Sequence, residues 1–165
     1  NDDGVDCAVG EPGEILLRGP IMMEGYWNNS SATIETLRNG WLHTGDMGKF
    51  DEDGYVYLVD RKKDMIVSGG ENIYSREVEE ALYQHDAVAN AAVIGVPDEK
   101  WGESVRAVIQ LREGARAAAP DIIAHCRTLI AGYKCPKSVV FVDDLPKLPS
   151  GKINKIVIRK EHGTA

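Results

Sequence analysis

The sequence predicts an α+β fold: a small β-rich N-terminal piece over residues 1–60, a joint at 61–64, and a compact mixed-sheet domain with flanking helices over 65–165. Two observations carry this reading. Up to residue 60, short apolar runs are punctuated by Gly, Pro, Asn and Asp, the pattern of strands and hairpins. Beyond residue 64, runs at helical spacing interleave with strand-like runs. Charge divides the chain at the same place. Residues 1–60 carry 12 acidic and 3 basic side chains, whereas residues 61–165 carry 14 acidic and 16 basic ones. The sign changes at Asp60-Arg61-Lys62-Lys63-Asp64, as expected where two units meet at a charged joint.

The elements follow in order. Gly10-Glu11-Pro12-Gly13 is a turn, and Glu14 to Arg18 is an apolar run that reads as a strand ended by Gly19-Pro20. Ser31 to Leu37 reads as a short helix capped by Ser30 or Ser31. Gly40-Trp41-Leu42-His43 enters a second strand region, and Met47 to Phe50 and Tyr55 to Val59 flank a hairpin turn at Asp51-Glu52-Asp53-Gly54. That acidic turn is too short for a calcium loop, so it reads as structural. After the joint, Met65-Ile66-Val67 is a strand ended by Ser68-Gly69-Gly70. Ser75 is placed to cap a helix that runs to about Gln84, with Val78, Ala81 and Leu82 as its apolar stripe. Val88 to Val96 and Ser104 to Leu111 are strands joined by a charged loop containing Trp101. Pro120 opens a second helix that Gly132 ends, and Ser138 to Val142 is a last strand.

Composition narrows the function. With 43% hydrophobic and 27% charged residues the chain reads as a soluble globular protein. No apolar run approaches the roughly 18 residues that span a bilayer, and Asn1-Asp2-Asp3 is too acidic for a secretory leader. Cys7, Cys126 and Cys135 are odd in number and lack CxxC spacing, so they read as reduced thiols of a cytoplasmic protein. His43, His85, His125 and His162 have no metal-ligand spacing, and no metal site is expected. The late basic residues (Lys134, Lys137, Lys147, Lys152, Lys155, Arg159, Lys160) suit an anionic partner. Overall acidity and the lack of an aromatic-basic stripe argue against nucleic acid.

Five constellations could carry chemistry, and each has a plain structural alternative. In Pro146-Lys147-Leu148-Pro149-Ser150-Gly151-Lys152 two prolines stiffen the approach and Gly151 lets the chain turn, so Lys152 is held forward; the alternative is a solvated surface turn. It is not a Walker loop, because Pro146 stands where that motif needs glycine. Asp46, after the Gly45 turn, can accept two hydrogen bonds from a vicinal diol, or simply bond its own loop. Arg61 offers a planar fork to ribose or phosphate oxygen, or pairs with Asp60 or Asp64 at the surface. Ser68-Gly69-Gly70 permits close approach of backbone to a ligand, or is only a hairpin turn. Trp101 with Tyr133, Lys134 and Lys137 could stack a base and hold phosphates, or Trp101 is a core residue.

Their order and spacing are more specific than any one of them. Gly13-Glu14-Ile15, Gly25-Tyr26-Trp27, Trp41-Leu42-His43-Thr44-Gly45-Asp46, Asp60-Arg61-Lys62-Lys63-Asp64-Met65-Ile66, Ser68-Gly69-Gly70-Glu71-Asn72-Ile73 and Pro146 to Lys152 together resemble the C-terminal third of the adenylate-forming enzymes. Within that superfamily the chain is most similar to the acyl-CoA synthetases; the alternatives are an aryl-acid ligase or luciferase-like adenylate-former, or a non-catalytic module that binds CoA or nucleotide. The resemblance implies that a carboxylic acid reacts with ATP to give an acyl adenylate and pyrophosphate, and that coenzyme A then takes the acyl group. It implies ribose binding by Asp46 and Arg61, a hinge at Lys63, and a catalytic Lys152 at the carboxylate and α-phosphate. Ser68, Gly69 and Gly70 would line the pantetheine path, with Trp101, Tyr133, Lys134 and Lys137 near the CoA nucleotide. Residues 1–60 would be the end of a large ATP- and acyl-binding domain, 61–64 the hinge, and 65–165 the mobile C-terminal domain. The phosphate loop, the adenine motif, most of the Mg2+ site and the acyl pocket would precede Asn1, leaving the chain alone inactive. Two departures stand out: Ser75 where relatives often have Pro, and Cys135 where some carry a basic residue.

Overall fold

In the computed structural model, which describes residues 1–164, the chain divides into two compact units, Asn1–Lys63 and Asp64–Ala165. The fold is α+β, as the sequence predicts.

The first unit is a four-stranded antiparallel sheet with one short helix. Strand β3 (Trp41–Phe50) is its centre, flanked by β1 (Gly13–Leu17) along one edge and by β2 (Leu37–Arg38) and β4 (Val56–Arg61) along the other. Helix α1 (Ser30–Thr36) is capped by neither serine. Its cap is Asn29, whose Oδ1 accepts from the Ala32 N–H at 3.1 Å. Strand β2 is a second departure from the sequence reading. Asn39 and Gly40, with φ of 54° and 78°, turn it directly into β3. Asn-Gly is the standard two-residue hairpin signal, so the information was present. In the acidic turn, Asp51 Oδ1 accepts from the Asp53 and Tyr55 N–H groups, a local structural role.

The second unit is a five-stranded mixed sheet with helices on both faces. Strand β5 (Ile66–Ser68) turns through Gly69-Gly70 into β6 (Glu71–Ile73), which sequence reading left out. Helix α2 (Ser75–Tyr83) leads to the long hairpin of β7 (Val88–Asp98) and β8 (Gly102–Leu111). Helix α3 (Ala119–Leu129) precedes β9 (Ser138–Val142), which lies parallel to β8, and α4 (Lys155–His162) closes the chain.

Strands β7 and β8 read as near-continuous apolar runs because both faces of the sheet are covered. Ala91, Val93, Val105, Ala107 and Ile109 point to a core with Val78 and Leu82 of α2 and Ile122 and Cys126 of α3. The alternate residues Ala92, Ile94, Val96 and Val108 meet Leu145 and Ile158 of α4 on the other face. Two helix ends differ from expectation. Ser75 is the first residue of α2, not its cap; Tyr74 precedes it without a side-chain cap. That first position suits proline too, since its N–H has no intrahelical partner, which explains why Ser75 can stand there. Helix α3 stops at Leu129 with Ile130 extended, before Gly132 is reached.

Candidate functional site

The candidate residues fall into one group in the first unit and three in the second. In the first, β3 and β4 pair so that Asp46 stands opposite Arg61, with the register shifting just beyond, between Met47 and Gly48. Arg61 Nε lies 3.1 Å from Asp46 Oδ1, with the side chains 59% and 34% exposed. A pair this open contributes little to stability, but it presents a carboxylate and a guanidinium side by side to solvent. The structural alternative that the sequence offers for Arg61 is a surface pair with Asp60 or Asp64; the structure sets its guanidinium beside Asp46, and only its backbone N–H donates to Asp60 Oδ1, at 2.7 Å.

A residue of the Gly13-Glu14-Ile15 motif, to which the sequence assigns no role of its own, holds this pair from both flanks. Glu14, on β1, is largely buried. Its Oε1 accepts from the N–H of Gly45 at 3.2 Å, one residue before Asp46. Its Oε2 accepts from Lys62 Nζ at 3.1 Å, one residue after Arg61, and lies 3.3 Å from His43 Nδ1. Thr44 completes the loop: its hydroxyl donates to the Ile15 carbonyl at 2.7 Å and accepts from the Asp46 N–H at 3.1 Å. Lys62 also pairs with Asp2 at 2.7 Å. The available signal was a carboxylate set inside an apolar strand run.

Burial pushes the Glu14 carboxyl up, but the Lys62 and His43 contacts, the Lys62 charge and the Gly45 N–H outweigh it and hold its pKa below the ordinary 4.5. A carboxyl lowered on folding adds stability above its ordinary pKa and loses it as pH falls through the lowered native value. The first unit is therefore expected to weaken on acidification below about pH 5. Glu14→Gln should weaken it at neutral pH and flatten that acid dependence, as thermal melts across this range will show.

In the second unit, the Pro-rich stretch forms a closed turn. Lys147 bridges Ile153, the Leu148 N–H donates to the Lys152 carbonyl at 2.8 Å, and the Gly151 N–H donates to the Leu148 carbonyl at 2.8 Å. Gly151 has φ +82°, which this turn needs. The Asn154 N–H donates to the Pro146 carbonyl at 2.7 Å, so the two ends of the turn are tied. Lys152 is exposed near its tip, and its ammonium makes no ion pair with a described residue. Lys63 is exposed in the single 3-10 turn Lys62–Asp64, where the two units join.

Ser68, Gly69, Gly70 and Trp101 come together. Gly69 and Gly70 have φ of +62° and +86°. The Gly69 N–H donates to the Trp101 carbonyl at 2.9 Å, and Ser68 pairs with Gly102. A Cβ at Gly69 would sit 2.7 Å from Trp101 Cε3, so the indole lies directly on this backbone. Trp101 is half-exposed, not a core residue, and Lys100 Nζ stands 4.6 Å from its ring centroid.

Tyr133, Lys134 and Lys137 sit in the loop before β9. The Lys137 N–H donates to the Val105 carbonyl at 2.8 Å, three residues along β8 from Gly102, or about 10 Å. Tyr133 and Lys137 are exposed, but Lys134 is committed: its Nζ donates to both Glu77 carboxylate oxygens, at 2.7 and 2.8 Å. Burial pulls the Lys134 ammonium down, and the Glu77 contact outweighs it, leaving its pKa raised. Cys135 is buried, its thiol pushed up by that burial, and Cys126 is pushed up to about 11 by burial and by Cys135 beside it. Among the described residues, no three or more His, Cys, Asp or Glu side chains are grouped to hold a metal ion. No helix among them is long and apolar enough to cross a membrane.

Residues 77–152 match the AMP-binding enzyme C-terminal domain. Over those residues the chain carries the C-terminal domain found in AMP-binding enzymes. It is 53% identical over 160 residues to a feruloyl-CoA synthase of an Amycolatopsis species, an alignment that covers 97% of this chain and 33% of that protein. It is 52% identical over 152 residues to a long-chain-fatty-acid–CoA ligase of Bacillus subtilis, covering 92% and 27%. Among solved structures, it superposes with a TM-score of 0.84 on o-succinylbenzoate CoA synthetase from Bacillus subtilis in complex with an acyl-adenylate intermediate, at 42% identity, covering 92% of this chain and 31% of that one. An amide bond synthetase from Marinactinospora thermotolerans gives 0.86 at 40% identity, covering 98% and 33%. The chain thus spans about a third of the length of the relatives it matches.

Proposed function

We propose that this chain is the C-terminal portion of an ATP-dependent, AMP-forming acyl-CoA synthetase, an acid–thiol ligase. The observation that carries the reading is Lys152: an uncommitted ammonium near the tip of a closed, proline-stiffened turn, in a chain that also presents Asp46 beside Arg61. In the first half-reaction Asp46 accepts hydrogen bonds from the ribose hydroxyls of ATP and Arg61 offers its fork to the same sugar. Lys152 balances the negative charge that builds as the acid's carboxylate attacks the α-phosphorus. Rotation at Lys63 then exchanges the face offered to the substrate. In the second half-reaction Ser68, Gly69, Gly70 and Trp101 line the pantetheine path. Tyr133 and Lys137 serve the CoA nucleotide; Lys134, already neutralised by Glu77, adds less. No step is assigned to Mg2+ through the residues of this chain. The buried thiols Cys126 and Cys135 suit a reducing compartment such as the cytoplasm.

The test is direct. The full-length protein, given ATP, CoA and a panel of aryl and fatty acids, should release AMP and pyrophosphate and form an acyl-CoA. Formation of ADP, or acid-independent turnover, would overturn the assignment. Within it, Asp46→Ala should raise the KM for ATP about tenfold to a hundredfold, because hydrogen bonds to a charged group are worth about 1.5–3 kcal/mol. The KM for the acid should change little. Steady-state kinetics with each substrate varied will separate the two.

A further inference from the structure

Helix α4 was not foreseen in the sequence, and its attachments are unusual for its size. An eight-residue helix is marginal by itself, and only one of its apolar residues, Ile158, is fully buried. Besides Ile158, ion pairs at its start and one turn further on hold it. At its start, Lys155 Nζ lies 2.7 Å from Ser75 Oγ and 2.7 Å from Glu79 Oε1, the Lys155 and Glu79 side chains each only 17% exposed. Glu79 Oε1 also accepts from the Val93 N–H at 2.8 Å, so the anchor is fixed to both α2 and the sheet. One turn on, Arg159 Nη2 lies 2.6 Å from Asp64 Oδ1. Asp64 is buried, and it is the first residue of the second unit, immediately after Lys63.

Partly buried ion pairs add less stability than well-packed apolar contacts would, but they are directional and fix register. Here the register they fix is that of the chain leaving the Lys152 turn. Lys155 follows Lys152 by three residues, and the intervening Asn154 both closes the turn onto Pro146 and caps α4, its Oδ1 accepting from the Val157 N–H. We infer that α4 is a strap joining the Lys152 turn to the residue that follows the hinge, and that Lys155, locked by Glu79 and Ser75, is the positioning residue that sets where Lys152 points. This rests on the role proposed for Lys152 above.

A merely structural Lys155 would affect both half-reactions, because each needs a folded second unit. A positioning Lys155 affects adenylation alone. In the full-length enzyme, Lys155→Met should lower acid-dependent ATP–pyrophosphate exchange about tenfold to a hundredfold, the scale of an ångström of misplacement. Thioester formation from supplied acyl adenylate should stay within about twofold. Lys155→Arg should recover most of the exchange. If Lys155→Met fails to fold, Glu79→Gln, which removes the ion pair but keeps an acceptor for Val93, should show the same split. Equal losses in both half-reactions, or unchanged exchange, would overturn the inference. Lys152→Ala run alongside identifies which claim has failed: if it leaves exchange intact, the role of Lys152 falls first; if it removes exchange while Lys155→Met does not, only the positioning role falls.

Discussion

Lys152→Ala in the full-length enzyme is expected to lower acid-dependent ATP–pyrophosphate exchange about 10²- to 10³-fold, the loss typical of one electrostatic donor aimed at a transition state. Thioester formation from supplied acyl adenylate should remain within about twofold. The asymmetry follows from chemistry. Charge accumulates on the α-phosphoryl oxygens while the carboxylate attacks, and a fixed ammonium offsets it; by the second step that bond is already made. Stability should hardly move, because Lys152 is exposed and its turn is closed by backbone hydrogen bonds. Lys152→Arg is a useful companion. It keeps the charge, but a planar fork differs from a compact ammonium, so only partial recovery is expected. Equal loss in both half-reactions would remove Lys152 from this role.

The parts of the fold that were legible in the sequence are those whose signal is local. The β7–β8 hairpin stands out because most residues of its centre are buried on one face or the other, leaving apolar runs interrupted only at Gly95 and Arg106. Helix α2 showed its stripe because Val78, Ala81 and Leu82 face a single core. Helix α4 stayed hidden for the opposite reason. Its anchoring is partly ionic, and its partners Ser75, Glu79 and Asp64 lie 80, 76 and 95 residues upstream of Lys155 or Arg159. Strands β2 and β6 are two and three residues long, too short for any alternation to emerge.

The candidate site divides in the same way. Asp46, Arg61 and Lys152 stand out through motif order, and backbone hydrogen bonds close the turn around Lys152, with Gly151 at positive φ. What no local pattern could supply was pairing. Register across β3 and β4 decides that Arg61 meets Asp46, and Glu14 reaches Gly45 and Lys62 only because β1 lies against β3. Likewise, Lys134 looked available as a phosphate ligand until the fold placed Glu77 against it.

Gly69→Ala is expected to act as the counterpart of Lys152→Ala, impairing thioester formation while sparing adenylation. Two costs arise together. At φ +62° an alanine enters the left-handed region, at roughly 1–2 kcal/mol. Its Cβ would also stand 2.7 Å from Trp101 Cε3 and 3.1 Å from Cζ3, closer than carbon atoms pack, so the indole must move. Trp101 is free to swing outward because it is half-exposed. Doing so lifts it from the Gly69 backbone and from Lys100, and alters the surface proposed to receive the pantetheine arm. Total destabilisation of about 2–3 kcal/mol is expected, with thioester formation falling about tenfold to a hundredfold. The double variant Gly69→Ala/Trp101→Ala separates strain from clash. With the ring removed, the steric part of the cost vanishes, so the two substitutions should be non-additive by about 0.5–3 kcal/mol in denaturant unfolding. The backbone part persists, and the thioester step stays slow, since Trp101 is itself lost. Additive stability effects would show that the ring does not rest on Gly69 in solution. Adenylation falling in step with thioester formation would detach this loop from the second half-reaction.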